Sequence, residues 1–165
     1  MTIWRYGDDV DTDQLFPGKY VHTCTSPDEI RPHLLEDLDL RFSEEVDEGD
    51  IVIAGRNFGC GSSREQPVVG LNAAGISAII ATSFARIFYR SAINQGLLLI
   101  ESPVVVNAWK EGDTIEIDIE KSEIRVAGHA FQIPPLPAML LAIRDAGGLL
   151  ASVRVRLAGE RGMDR

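Results

Sequence analysis

The fold is decided by the stretch Ile51-Val-Ile-Ala-Gly-Arg-Asn-Phe-Gly-Cys-Gly-Ser-Ser-Arg-Glu65, in which a short apolar run passes directly into a glycine-rich segment. An uninterrupted apolar run of this length, closed by turn residues, is typical of a strand buried on both faces. Two further strands follow it, each preceded by a helical segment. The predicted elements, in chain order, are strand Ile51–Ala54, helix Pro67–Ala74, strand Ser77–Thr82, helix Phe84–Gln95 and strand Leu97–Glu101. This alternation predicts a partly parallel sheet that is covered by helices.

The segment before this core predicts one more strand and a short helix. Ile3–Tyr6 is a run of strand length, and it leads into Gly7–Gln14, a polar segment rich in carboxylates that we expect to be a loop. Ser26-Pro27-Asp28-Glu29 is typical of a helix N-terminus, with serine as the N-cap and proline at the first helical position. Pro32 follows closely, so this helix is expected to be short.

The segment after the core has a different pattern. Thr114–Ile119 alternates apolar and polar residues, as a half-exposed strand does, and Glu123–Ala127 returns as its hairpin partner. Pro134–Gly147 predicts a last helix that ends at a pair of glycines, and the tail at 160–165 is expected to be frayed. The sequence therefore predicts an α/β fold with an added antiparallel β part, in a single domain that spans residues 1–165.

Composition and charge exclude several classes of protein. The chain has 165 residues, of which 16 are basic and 25 acidic, so its formal net charge is −9. An apolar content of 45% excludes a disordered chain, and only two cysteines exclude a disulfide scaffold. The acidic balance argues against nucleic acid as a partner. Neither a secretory signal nor an apolar run of about 18 residues is present, so we expect a cytoplasmic protein that does not bind membranes.

The glycine-rich segment is the strongest candidate for a functional site. Glycines allow the backbone to approach a ligand closely, and the amides at a helix start donate toward an anion. Ser62, Ser63 and Arg64 add two hydroxyls and a guanidinium that can grip a carboxylate. The alternative is a structural capping box, with Ser62 as the N-cap and Glu65 reaching back to it. Pro67 disturbs that capping box, and the residues alone leave both interpretations open.

The other polar clusters have simpler structural explanations. The carboxylates of Asp11-Thr12-Asp13-Gln14 could serve acid–base chemistry or bind a cation, but a surface Asx-turn is the simpler explanation. The three histidines are scattered without zinc-binding spacing, so no metal site is predicted. Arg86 and Arg90, one helical turn apart, are expected to be solvated charges. The apolar residues of the same helix are expected to contact the core, namely Phe84, Ile87, Phe88 and Ile93.

Four motifs occur in one order along the chain: Asp11-Thr12-Asp13-Gln14, Pro17-Gly18-Lys19-Tyr20, Gly55–Glu65 and Ser83-Phe84-Ala85-Arg86-Ile87-Phe88. Together they resemble the family of 3-isopropylmalate dehydratase small subunits, a stand-alone version of the swivelling C-terminal domain of aconitase. The resemblance covers nearly the whole chain. It implies a swivelling β/β/α domain and reversible removal of water from a hydroxy-dicarboxylate, here the isomerisation of 2-isopropylmalate and 3-isopropylmalate in leucine biosynthesis.

The resemblance also implies roles for single residues. Ser62 corresponds to the base that takes a proton from carbon. Ser63 and Arg64 are expected to hold a substrate carboxylate. The motif that contains Thr12 and Asp13 lies near the active site in this family, so we expect Asp13 to be catalytic and Thr12 to bind substrate.

Substrate specificity is expected to reside in Tyr20-Val21-His22-Thr23. Relatives that act on isopropylmalate tend to carry an apolar residue at the third position of this stretch, whereas homoaconitase-like relatives carry an arginine. His22 is a predicted substrate-binding residue that fits neither pattern cleanly, since a neutral imidazole tolerates an apolar group and a protonated one pairs with an acid. The alternatives are a related dehydratase for homoaconitate or dimethylmalate and, in another class, a non-catalytic anion-binding module.

The resemblance further implies a 4Fe–4S cluster and a large subunit as partner, in a heterodimer or a heterotetramer. A cluster with an open iron needs three thiolate ligands from protein. This chain has two cysteines, Cys24 and Cys60, far apart in sequence. We therefore expect the large subunit to carry the cluster, this chain to bind no cofactor, and the chain alone to be inactive.

Overall fold

A parallel sheet forms the centre of the computed structural model, which describes residues 1–163, with side chains as far as residue 158. Its strands are β1 (Ile3–Arg5), β2 (Ile51–Ala54), β3 (Ala78–Ala81) and β4 (Leu99–Glu101). They lie side by side in chain order, and Ile51 of β2 is opposite Ile3 of β1 and Ala78 of β3. The predicted parallel sheet is thus confirmed.

Helices connect these strands and continue toward the C-terminus. Their bounds are α1 (Thr12–Leu15), α2 (Pro27–Ile30), α3 (Leu40–Glu45), α4 (Gln66–Ala73), α5 (Arg86–Asn94), α6 (Pro103–Ala108), α7 (Ala138–Asp145) and α8 (Leu149–Met163). Short 3₁₀ turns at Gly18–Tyr20 and Arg31–His33 lie between α1 and α3. Within residues 1–163, no helix has the length and apolar character needed to cross a membrane.

The parallel sheet lies between two apolar layers, because its central strands are buried on both faces. Along β2, Val52 and Ala54 belong to the core under the helices, whereas Ile51 and Ile53 belong to the core under a second sheet. That sheet is antiparallel and consists of β5 (Ile115–Asp118), β6 (Glu123–Val126) and β7 (His129–Gln132). The order sheet, sheet, helices is the predicted β/β/α architecture with its added antiparallel part.

The N-terminal predictions are partly confirmed. Ser26 is the N-cap residue of α2 and Pro27 is its first residue, as the sequence indicates. The segment Gly7–Gln14 is not entirely loop, however. The Asp11 carboxylate accepts a hydrogen bond from the Gln14 amide at 2.8 Å and caps the short helix α1. A capping box therefore replaces part of the predicted loop.

The start of α5 differs from the prediction. Ser83 is not the residue at its N-cap, because the helix begins at Arg86. The Ser83 hydroxyl instead accepts a hydrogen bond from the Asn57 amide at 2.9 Å. Ile87, which we expected in the core, is 56% exposed, whereas Phe88 is buried, since successive helical residues point about 100° apart.

The C-terminal part contains more structure than the sequence predicts. The hairpin of β5 and β6 is confirmed, with Ile117 opposite Ile124. The predicted last helix is α7, which ends before Gly147 and Gly148, both with positive φ, but α8 follows it. Strand β7 and helix α6 are also additional to the prediction. The frayed tail expected at 160–165 reaches residues outside the described part of the chain, and the single domain stays a prediction.

Asp50, immediately before β2, is a carboxylate with no exposed surface. It accepts hydrogen bonds from the Trp4 indole at 3.0 Å and from the backbone amides of Thr2 and Asp47. Burial by itself raises the pKa of the Asp50 carboxyl, but these hydrogen bonds outweigh burial and hold the pKa below its ordinary value. Asp50 thus ties β1 to the turn before β2.

Replacing Asp50 with asparagine is expected to lower the free energy of unfolding by about 1–3 kcal/mol, because one of its two acceptor oxygens becomes an amide nitrogen and the donors that face it lose their acceptor. Since the folded pKa lies below the unfolded value of about 3.9, the ionised carboxylate stabilises the fold at higher pH. That contribution is lost as the pH falls through the folded pKa. In denaturant unfolding, the stability difference between wild type and Asp50→Asn should therefore shrink below about pH 4. Glu44→Gln, at an exposed position of α3, is the control, and equal effects of both variants would contradict the prediction.

Candidate active site

The carboxyl ends of β1, β2 and β3 lie at one edge of the parallel sheet, and backbone hydrogen bonds join the loops that follow them. Gly59, in the loop after β2, donates its amide to the Val10 carbonyl at 2.8 Å, and Thr12 donates to the Cys60 carbonyl at 2.8 Å. The glycine-rich loop, residues 55–65, is therefore held along the loop after β1. This edge of a parallel sheet is the usual place for a ligand site.

A close contact with α5 fixes the other side of the glycine-rich loop. Phe58 donates its amide to the Ser83 carbonyl at 3.0 Å, and its ring packs edge-on against the ring of Phe88, with centroids 5.3 Å apart. Gly59 has a φ of 78°, and a Cβ atom added there would lie 2.1 Å from Cγ of Phe88. Glycine alone fits this position.

Ser62, Ser63 and Arg64 follow this fixed point and lie in the loop, not in the helix. Helix α4 begins at Gln66, and its N-cap residue Glu65 makes no side-chain capping bond. The capping box between Ser62 and Glu65, one of the two interpretations of this segment, is therefore wrong. Ser62 and Ser63 are both exposed.

The buried hydroxyl of Thr12 organises this segment. Thr12 is 3% exposed, and its Oγ1 accepts a hydrogen bond from the Ser62 amide at 3.0 Å and another from Nη2 of Arg64 at 3.2 Å. A Cβ atom at Gly61 would lie 3.0 Å from the same oxygen, so the loop passes close to it. One hydroxyl thus holds the backbone of the candidate base and the side chain of the candidate anion ligand.

Arg64 also forms an ion pair with Asp13. Its Nη2 lies 2.8 Å from Oδ1 of Asp13, and the side chain of Arg64 is 12% exposed whereas that of Asp13 is 63% exposed. Nε of Arg64 is buried and has no hydrogen-bond acceptor among the described residues. The guanidinium of Arg64 is thus largely enclosed by protein, whereas its counter-ion Asp13 is in solvent.

The structure brings most of the predicted site residues together. Those in direct contact are Ser62, Arg64, Thr12 and Asp13. Ser63 adjoins them, and His22 lies on an exposed turn that follows the 3₁₀ turn at Gly18–Tyr20. This exposed turn is linked to the start of α4 through Val21, whose carbonyl accepts a hydrogen bond from Nε2 of Gln66 at 3.3 Å.

Two residues near the site were not identified by sequence reasoning. A Cβ atom at Gly18 would lie 2.8 Å from Oδ1 of Asp13 and 3.4 Å from Nη1 of Arg64, so the chain passes directly over this ion pair. Gln66 holds the turn that carries His22. The Pro17-Gly18 motif marks the place, but no hydropathy pattern shows what it contacts. Asp11, by contrast, caps α1, so the Asp11 and Asp13 carboxylates do not act as a pair.

The fold and the site together define a class of protein. A β/β/α domain that presents serine hydroxyls and an enclosed guanidinium on a glycine-rich loop, at the carboxyl edge of its parallel sheet, is a swivelling domain of the aconitase type. In agreement, the family model for the aconitase C-terminal domain matches residues 12–104, which include every candidate site residue.

Comparison with individual relatives shows which members of this class the chain is similar to. The 3-isopropylmalate dehydratase small subunit 1 of Methanopyrus kandleri is 45% identical over 153 residues, 92% of this chain and 89% of its own length. The methanogen homoaconitase small subunit of Methanothermobacter thermautotrophicus is 45% identical over 166 residues, with 97% and 95% covered. The crystal structure of 3-isopropylmalate dehydratase from Methanocaldococcus jannaschii matches with a TM-score of 0.90 and 41% identity, over 98% of this chain and 96% of that chain. The chain belongs to the aconitase C-terminal domain family, in its branch of 3-isopropylmalate dehydratase small subunits.

Replacing Thr12 with valine keeps the shape of the side chain and removes the shared acceptor. We expect the Ser62 amide to exchange its hydrogen about three- to tenfold faster in Thr12→Val, as one net hydrogen bond is lost. Amide exchange followed by NMR measures this, and Thr12→Ser, which keeps the hydroxyl, serves as the control. Equal protection of the Ser62 amide in wild type and Thr12→Val would show that the Thr12 hydroxyl does not hold the loop.

Proposed function

We propose that this chain is the small subunit of a two-subunit hydro-lyase that interconverts 2-isopropylmalate and 3-isopropylmalate by dehydration and rehydration, a step of leucine biosynthesis. The names of its relatives support this proposal. The observation that carries it is the arrangement in which Thr12 Oγ1 holds both the Ser62 amide and the Arg64 guanidinium. The exposed residue Ser62 and the largely buried guanidinium of Arg64 are thus both bound to the same oxygen, which supports the proposal.

Ser62 is the proposed general base. Its backbone amide donates to Thr12 Oγ1, the atom that also accepts from the Arg64 guanidinium, and the residue is exposed. A nearby positive charge favours the deprotonated form of a hydroxyl. In the dehydration direction Ser62 takes the proton from one substrate carbon as the C–O bond at the neighbouring carbon breaks, and in the hydration direction it returns that proton to carbon. The cluster of the large subunit, when bound, would supply the Lewis acid that accepts the departing hydroxide and returns it.

Arg64 and Ser63 are the proposed ligands of a substrate carboxylate. A planar guanidinium can donate two parallel hydrogen bonds to a carboxylate, and an adjacent hydroxyl can add a third. Asp13 already pairs with Arg64 at 2.8 Å, which holds the guanidinium in place and adds a carboxylate at the margin of the site. We assign Asp13 to the active site on this ground, and Thr12 as the residue that positions both Ser62 and Arg64.

The cysteines of this chain do not fit the 4Fe–4S cluster that the family implies. Cys24 is buried in the core under the helices. Burial, together with the nearby carboxylates of Asp11 and Asp9, raises the pKa of the Cys60 thiol, which opposes the thiolate form that ligates iron. Across residues 1–163, no group of three or more His, Cys, Asp or Glu side chains is placed to hold a metal ion.

The cluster therefore belongs, in this proposal, to a large subunit that docks at the carboxyl edge of the parallel sheet. The exposure of Ser62, Ser63 and Asp13 supports this assignment, because a partner can reach all three. Heterodimer and heterotetramer remain the two proposed assemblies, and the chain alone is proposed to be inactive.

A related dehydratase that acts on a tricarboxylic substrate such as homoaconitate is the second candidate. The homoaconitase small subunit of Methanothermobacter thermautotrophicus is as similar in identity, at 45%, as the isopropylmalate relative above. His22 leaves this candidate open, since it is neither apolar nor an arginine. His22 lies on an exposed turn, which supports its proposed role in substrate binding.

Ser62→Ala is expected to lower kcat by about 10²- to 10⁴-fold, the contribution typical of a general base. The assay uses the small subunit combined with its large subunit and 2-isopropylmalate as substrate. Ser63→Ala should instead raise KM more than it lowers kcat, because a carboxylate ligand is lost. Ser43→Ala, which removes a serine hydroxyl in α3, is the control and should leave kcat and KM unchanged. Full turnover in Ser62→Ala would exclude Ser62 as the general base, as expected if this chain is a non-catalytic anion-binding module.

His22→Arg is expected to shift the ratio of kcat/KM values toward a tricarboxylic substrate by about tenfold or more, because an arginine can pair with the additional carboxylate. The measurement compares 2-isopropylmalate with homoaconitate in the assembled enzyme. His129→Arg, on the exposed strand β7 of the other layer, adds the same charge away from the site. An unchanged substrate ranking would exclude His22 as a specificity residue.

A further inference from the structure

The carboxylate of Glu36, on the chain segment that precedes α3, contacts three other side chains. Its Oε1 accepts hydrogen bonds from Nζ of Lys19 at 2.6 Å and from the hydroxyl of Tyr20 at 3.2 Å, and its Oε2 lies 2.9 Å from Nδ1 of His33. We call Lys19, Tyr20, His33 and Glu36 the Glu36 cluster. The hydrogen bonds from Lys19 first and from His33 second lower the pKa of the Glu36 carboxyl, so it is charged at neutral pH.

The aromatic rings of this cluster fix the position of Tyr20. The imidazole of His33 stacks on the Tyr20 ring with centroids 3.8 Å apart, and the buried Phe16 lies 6.1 Å from the same ring. The Tyr20 carbonyl in turn accepts the amides of Thr23 at 3.1 Å and Cys24 at 2.9 Å. The turn that carries His22 is therefore built on Tyr20.

The same segment meets the candidate active site at its other end. Gly18 lies against the ion pair of Asp13 and Arg64, as the short distances to a Cβ atom at that position show. Val21 is held by Gln66, at the start of the helix that follows Arg64. Residues 18–23 thus span from the Glu36 cluster to the guanidinium that we assign to substrate binding.

We propose that Glu36 is a positioning residue that holds residues 18–23 across Arg64 and so sets the affinity and choice of substrate without taking part in proton transfer. The inference rests on the function proposed above, since it concerns the substrate pocket of that enzyme. The geometry favours positioning over a plain surface ion pair. Glu36 binds three partners instead of one, and two of those partners, Lys19 and Tyr20, belong to the segment that contacts the site.

Glu36→Gln, which keeps the size of the side chain and removes its charge, tests this role in the assembled two-subunit enzyme. KM for 2-isopropylmalate is expected to rise about two- to tenfold, because a segment that is held less firmly must be ordered when substrate binds. We expect kcat to change less than KM, and the preference between 2-isopropylmalate and homoaconitate to weaken by a similar factor. A loss of kcat with unchanged KM, or no change in either constant, would overturn the inference.

A measurement without substrate separates this inference from the proposed function. Amide exchange of Thr23 and Cys24 in the small subunit is expected to become faster in Glu36→Gln, and less so in Tyr20→Phe, which keeps the stacked ring. Asp118→Asn is the matched control, because Asp118 also pairs with a lysine, Lys121 at 2.7 Å, but lies on the antiparallel sheet. Unchanged exchange in Glu36→Gln would overturn the positioning role alone, whereas a wild-type enzyme inactive on every substrate would overturn the proposed function and this inference with it.

Discussion

The arrangement of the candidate active site depends on one oxygen atom, Oγ1 of Thr12. It accepts hydrogen bonds from the Ser62 amide and from the Arg64 guanidinium, and it belongs to a residue that is 3% exposed. Thr12 itself is placed by the bond from its amide to the Cys60 carbonyl. Because Gly59 is seated against Phe88 at the same time, the glycine-rich loop is fixed from two sides and the segment after it has little freedom.

The strands and helices that could be predicted from the sequence are those with a clear local pattern of apolar and turn residues. Apolar runs between turn residues predicted the parallel strands, and the order of motifs predicted the family. The errors arise where distant contacts override a local rule. Ser83 looks like a helix N-cap, but its hydroxyl is used by an amide 26 positions earlier, that of Asn57. Strand β7 and residues 149–158 of α8 are largely exposed, so their apolar residues do not form the buried periodic pattern by which a strand or helix is predicted from sequence.

For the site, the residue types could be predicted but their contacts could not. Serine, serine and arginine after a glycine-rich loop indicate an anion site, whichever way the chain folds around them. The hydrogen bond between Thr12 and Arg64, however, joins residues 52 positions apart, and no periodic pattern in the sequence predicts such a contact. Likewise, the two carboxylates of the Asp11-Thr12-Asp13 motif look equivalent in sequence. Asp11 caps a helix and Asp13 pairs with a guanidinium, and only the three-dimensional structure distinguishes these two roles.

The parallel sheet divides the interior into two apolar cores with no buried side chain in common. The glycine-rich loop packs on the helix side through Phe58 and Phe88, whereas the antiparallel strands pack on the opposite face through residues such as Ile115 and Ile124. The antiparallel strands thus reach the candidate active site only through the strands of the parallel sheet, such as β2 with Ile51 and Ile53. Insertions in the turns at the outer side of the antiparallel layer are accordingly expected to disturb the candidate active site less than insertions on the helix side.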